Sequence, residues 1–208
     1  MPSAQPLRSD RQVILVPDGR SYSPDTGTVL STNHVAKCLR LTGDVFPPED
    51  LVLLGNAPPK ELLTGTSRKS LICPLPGLSI EEMAANFKSL PKFKMTKDHF
   101  PQDWVRERGQ AMWVHIELTA RQNDRNVLQL KGERLPTARE QVALMLICHE
   151  DAQLPSFMET MALHATSTHS TDGYVITVRL YGNEFSFVNT SEKISLEKPV
   201  VGIRSQMA

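Results

Sequence analysis

The chain has 208 residues, enough for one large domain or two small ones, and its 40% hydrophobic and 22% charged residues are those of a folded globular protein. Lysine plus arginine and aspartate plus glutamate each number 23, so the formal charge is zero. That balance excludes a polyanion binder driven by overall charge, leaves only a local patch for such a partner, and removes repulsion between copies.

The first ten residues read as a loose tail without the charged-then-apolar order of a signal peptide. Ile14 lies in a short apolar strand, Val13 to Val16, closed by Pro17-Asp18-Gly19. Residues 20–30 form a second hairpin element that turns at Ser23-Pro24-Asp25-Thr26-Gly27. A helix follows, capped by Thr32 or Asn33, with Val35, Cys38 and Leu39 on one face and Gly43 at its end. Leu51 to Leu54, fenced by Pro47-Pro48 and Pro58-Pro59, reads as a buried strand, and Ser70 to Cys73 as another.

Ser79 with Glu82 makes a capping box, since each side chain reaches a free amide at a helix start. Ile80, Met83, Ala84 and Phe87 then share a face, and Pro91 stops the helix. Pro101 opens a short helix holding Trp104 and Val105. Met112, Val114, Ile116 and Leu118 alternate with Trp113, His115, Glu117 and Thr119, the period of a half-buried strand. A polar turn at residues 122–124 leads to a partner strand over 127–131. Thr137 with Glu140 and Ser156 with Glu159 cap two further helices. The run from Val142 to Ile147 fits a strand by composition, and the cap before it decides for a helix. Tyr174 to Tyr181, Gly182-Asn183 and Glu184 to Asn189 make a β-hairpin, and Val200, Val201 and Ile203 a last strand.

Hairpins interspersed with helices define an α+β fold: antiparallel sheets with helices packed on one face, and a strand-rich C-terminal half ending in the hairpin Tyr174–Asn189. The expected division is a tail at 1–10, a small α/β subdomain at 11–76 and a main domain at 77–208, with a single domain over 11–208 as the alternative. Strand, turn, strand, helix, Pro47-Pro48 and then Leu51 to Gly55 resembles a ubiquitin-type β-grasp over residues 11–76. The strand after the proline pair comes early for that fold, and no diglycine tail is present.

Three cysteines, Cys38, Cys73 and Cys148, odd in number and widely spaced, read as buried thiols in a reducing compartment. No stretch reaches the roughly 18 apolar residues of a membrane span. The expected location is therefore intracellular and soluble, or peripheral to a membrane. Asn189-Thr190-Ser191 matches a glycosylation acceptor by chance.

Chemistry is sparse. There is no glycine-rich phosphate loop, no Cys-x-x-Cys, no His-Glu-x-x-His and no Gly-x-Ser-x-Gly. Cys148, His149, His164 and His169 are weak candidates for a zinc site or a hydrolase. The plainer reading makes Cys148 a buried thiol, His149 a cation at a helix C-terminus, His164 a partly exposed helix residue and His169 a loop residue. Glu49-Asp50, Glu81-Glu82 and Glu150-Asp151 read as solvated acids. Met83, Met95, Met112, Met145, Met158 and Met161 are core before they are a pocket.

One cluster stands out. Lys88, Lys92, Lys94 and Lys97 interleave with Phe87, Phe93 and Phe100. Lysines at this density neutralise phosphates, and aromatics between them stack on bases or enter a lipid interface. Lys88, Lys92, Phe93, Lys94 and Lys97 are thus the candidate contacts to an anionic partner, a membrane surface or nucleic acid. The alternative is a solvated loop with its phenylalanines turned into the core.

The sequence therefore points to a non-enzymatic structural or interaction protein, matrix-like in the viral sense or an adaptor. It would act by self-association or by binding a macromolecule, without a cofactor or metal. A hydrolase using Cys148 and His149, or zinc with His164 and His169, is the competing expectation.

Overall fold

A computed structural model describes residues 14–15, 20–23, 27–63, 70–87, 92–94, 103–117, 133–151, 154, 164–170, 172–181, 184–190 and 203–205. The tail at 1–10, the turn and strand expected at 122–131 and the helix expected after Ser156 lie outside these residues.

The fold is α+β, with two mainly antiparallel sheets. The first has six strands in the order β1 (Ile14–Leu15), β2 (Arg20–Ser23), β3 (Gly27–Leu30), β4 (Ser70–Leu75), β6 (Met112–Glu117) and β10 (Ile203–Ser205). Its single parallel pair is β3 with β4, where Thr28 registers with Leu71 and Val29 with Ile72. Strands from both sides of position 76 share this sheet, because β4 pairs along its full length with β6. The second sheet runs β5 (Lys92–Lys94), β9 (Glu184–Thr190), β8 (Val175–Tyr181) and β7 (His164–His169). The expected hairpin is β8 and β9, in register from Val175 with Thr190 to Tyr181 with Glu184.

Helix α5 (Ala138–Glu150) is the centre of the molecule. It contacts β7 and β8 on one side and α1 (Thr32–Cys38) and α3 (Ile80–Asn86) on the other, while α1 packs on β4. Every residue from Ala138 to Cys148 is buried. A helix apolar all round needs cover all round, and two sheets with helices between them supply it. The expected capping boxes are present: Thr137 Oγ1 accepts from the Glu140 amide at 3.2 Å, and Glu140 Oε2 from the Thr137 amide at 2.8 Å. Ser79 and Glu82 close α3 in the same way. The cap of α1 is Ser31, one residue before the expected start, and its Oγ accepts from the His34 amide. The short helix α4 (Asp103–Arg106) buries Trp104 and Val105.

Three expectations change. Leu51–Leu54 is helical, within α2 (Pro48–Leu54), so the ubiquitin-like order of elements fails there. Pro48 sits at the first helical position, where its missing amide costs nothing, Glu49 and Asp50 occupy the first turn, and Gly55 ends the helix at φ +62°. β6 is buried on both faces rather than one: Val114 and Ile116 face the core with Cys73 and Leu71, and Trp113 on the other face donates its Nε1 to the Leu54 carbonyl at 2.9 Å. Asp50 and Asp151, expected to be solvated, are buried.

Asp50 explains itself in a polar knot. Its Oδ2 accepts the Gly77 amide at 2.9 Å, the Gly109 amide donates to the Gly77 carbonyl at 3.0 Å, and Arg139 donates to the Pro76 carbonyl at 2.7 Å. A Cβ on Gly109 would overlap the Arg139 guanidinium. The knot ties α2, the loop before α3, the loop before β6 and the start of α5. Beside it Arg134 grips Glu140 through two bonds of 2.7 and 2.8 Å.

Candidate functional site

The lysine and phenylalanine segment is not a plain loop. Lys92, Phe93 and Lys94 form β5, which lies at the edge of the second sheet and pairs in parallel with β9. Lys92 registers with Glu184, Phe93 with the fully buried Phe185, and Lys94 with Ser186. Phe87 is buried, and the Arg40 guanidinium stacks on its ring at 4.6 Å from the centroid. Lys88, Lys97 and Phe100 lie outside the described residues, as do Met95, Met158 and Met161. Met83 and Met145 are core.

The four cysteine and histidine candidates do not converge. Cys148 is buried in α5, and burial, with Asp151 and Cys38 nearby, pushes its thiol up to about 12. His149 is exposed in the last turn of α5. His164 and His169 are the two ends of strand β7, not helix and loop positions. His169 is exposed, its Nδ1 3.0 Å from the Ser167 carbonyl. Among the described residues no three histidine, cysteine or acidic side chains are placed to hold a metal ion.

A different cluster is assembled. His34 Nε2 lies 2.9 Å from Asp151 Oδ2 and 3.6 Å from Cys38 Sγ, with all three side chains largely buried. Cys73 and Cys148 lie close enough to influence each other's ionisation, and burial pushes the Cys73 thiol well up. The sequence signal was the helical spacing of His34 and Cys38, four residues apart on one face of α1. Asp151, from the end of α5, has no sequence link to them.

Residue types alone would suggest a thiol nucleophile with its base. The geometry argues otherwise. A base relay uses both ring nitrogens, one for the nucleophile and the other for the carboxylate. Here the carboxylate and the sulfur approach the same nitrogen, so the atom that would accept the thiol proton already meets Asp151. The cluster works as a latch joining α1 to the end of α5. Arg40 and Glu150 repeat the link at the surface through bonds of 3.1 and 3.2 Å.

The third region is α2 and its surroundings. Val52 is 83% exposed and Leu53 52%. At 100° per residue, Asp50 and Leu54 point inward, Pro48 and Leu51 lie on one flank, and Val52 stands next to Pro48 on the outer side. That flank is one wall of a groove of about 560 Å³, completed by Leu41, Val45, Phe46 and Leu78, with Glu82 and Asn86 at its rim. Val45 is itself exposed. Single exposed aliphatics are ordinary, but a ridge of two beside an apolar groove marks a contact surface. Reading Leu51–Leu54 as a strand buried between prolines hid this surface.

No protein-family model, curated protein or solved structure matched the chain. Among the described residues no helix is long and apolar enough to cross a membrane.

Proposed function

We propose that this chain is a non-enzymatic interaction protein that acts by self-association through α2. The observation that carries the reading is the exposed pair Val52 and Leu53 beside the apolar groove. Ridge and groove wall belong to the same short helix, so a two-fold axis passing near α2 seats each copy's ridge in the other's groove. That is the self-complementary arrangement an isologous dimer requires. Zero net charge lets two copies approach without repulsion. The charged side chains near the groove are already matched within one copy, Glu82 with Arg108 at 3.3 Å and Glu81 with Arg106 at 3.4 Å.

The reading is tested by light scattering coupled to size exclusion over a wide concentration range. The expected mass rises from one chain towards two as concentration increases, and Leu53→Asp holds it at one chain. A mass of one chain at every concentration would remove self-association as the role of this surface.

A further inference from the structure

The outer face of the second sheet carries a separate site, independent of self-association through α2. Strand pleating sends alternate residues to opposite faces. On β8 and β9, Ile176, Val178, Leu180, Phe185 and Phe187 are buried on the side of α5. Arg179 and Tyr181, with their register partners Ser186 and Glu184, take the opposite face.

That opposite face has a covered end and an open one. Val175, Thr177 and Thr190 are buried at the far end, whereas Arg179, Glu184 and Ser186 are half-buried and Tyr181 is 57% exposed at the turn end. The parallel pairing of β5 extends the open rows by one strand. Lys94 continues the row of Ser186 and Arg179, and Lys92 continues the row of Glu184 and Tyr181. Neighbouring strands are about 4.8 Å apart, so the backbones of Lys94 and Arg179 flank Ser186 at about 10 Å from each other.

The chemistry of these rows is specific. Lys92 stands opposite the carboxylate of Glu184, which offsets its charge. Lys94 and Arg179 stand on either side of a hydroxyl, with no acid between them in the row. The Arg179 Nε is shielded from solvent and has no hydrogen-bond partner among the described residues. Next to this row, on the same face, stands an exposed tyrosine ring. Two cations with a donor hydroxyl between them suit a phosphodiester, and a ring on a flat sheet suits an unpaired base. A duplex offers the phosphates but hides the base faces, and a lipid surface offers the charge but nothing that stacks.

We propose that the row Lys94, Ser186 and Arg179, with Tyr181 beside it, binds single-stranded nucleic acid, the cations holding the backbone and the tyrosine stacking on a base. The site explains why four lysines gather before and within β5 in a chain of zero net charge.

The test is fluorescence anisotropy of the full chain with a short labelled single-stranded RNA, alongside the same sequence as a duplex and vesicles containing anionic phosphatidylserine. The expected result is salt-sensitive binding to the single strand that exceeds binding to duplex or vesicles. Tyr181→Ala weakens it about tenfold while Tyr181→Phe retains it. Lys94→Gln with Arg179→Gln lowers the slope of log affinity against log salt by about two. Circular dichroism melts of each variant confirm that the fold is kept, and Tyr181→Phe separates loss of the ring from loss of the hydroxyl. Binding to the single strand unaffected by Tyr181→Ala, equal binding to duplex, binding to vesicles alone, or no binding at low salt would each overturn the proposal. None of these outcomes depends on the state of α2.

Discussion

Two apolar runs of similar composition, Leu51–Leu54 in α2 and Val142–Ile147 in α5, end in opposite surroundings. Every residue of the second run is buried. In the first run only Leu54 is buried, and Val52 and Leu53 face outward. Both are helices with well-defined starts, so local sequence does not make the difference. α5 has β7 and β8 on one side and α1 and α3 on the other. α2 has a neighbour on one side alone among the described residues, held there by Asp50 and by the carbonyl of Leu54. An apolar run therefore reports what a segment needs, and the layers around it decide whether that need is met. A need left unmet on a short, firmly anchored helix is what makes α2 an interface.

The contrast is sharpest in stability. Leu144→Ala, at the centre of α5, is expected to cost about 2–5 kcal/mol, because a fully enclosed site cannot collapse around the lost atoms. Chemical denaturation checks this, and a loss under about 1 kcal/mol would mean that α5 is not enclosed as described.

Glu140→Gln comes next, at about 3 kcal/mol at neutral pH, since it leaves the Arg139 and Arg134 charges without their buried partner. Burial opposes the ionisation of Glu140. The bonds and charge of Arg134, the Thr137 amide and the charge of Arg139 outweigh it, so the carboxyl titrates below its ordinary range. A group lowered in this way stabilises the fold above the unfolded value and stops doing so as pH falls through the folded one. The gap between wild type and variant should narrow in acid, and thermal melts across that range would show it. A gap that stayed constant would assign the loss to the cap alone.

Gly109→Ala should cost about 1–3 kcal/mol, because its methyl group competes with the Arg139 guanidinium for the same space. A melting temperature equal to wild type would show that the polar knot yields easily.

Asp50→Asn is the smallest effect and has the opposite sign to Glu140→Gln. Burial raises the Asp50 carboxyl, although the Gly77 amide and Arg108 partly offset it. The ionised form therefore costs stability above the folded value, and acidification relieves that cost. The amide keeps an oxygen for the Gly77 N–H, so Asp50→Asn should melt at or above wild type at neutral pH. A lower melting temperature would show that the charge itself holds α2 in place.

Much of the fold was legible from local signals. The pairs Thr137 with Glu140 and Ser79 with Glu82 mark helix starts, and two β-rich runs around a two-residue turn mark the hairpin. What failed depended on distance or on length. Four apolar residues cannot distinguish a period of 2 from one of 3.6, so Leu51–Leu54 read as a strand. The burial of Trp113 depends on the Leu54 carbonyl 59 residues away, which no local pattern encodes. The site divides in the same way. The lysines of β5 stood out as a cluster, but Arg179 and Tyr181 join them only through the parallel pairing of β5 with β9.

The central claim is that the exposed ridge of α2 is an interface and not an incidental surface. Sedimentation equilibrium of wild type and of Val52→Asp with Leu53→Asp, with a denaturation curve for each, tests it most directly. The account predicts a reversible dimer for wild type and a monomer for the variant. It also predicts a denaturation free energy for the monomer within about 0.5 kcal/mol per substitution of wild type, as exposed positions allow. A monomeric wild type, or a variant that dimerises equally well, would contradict it.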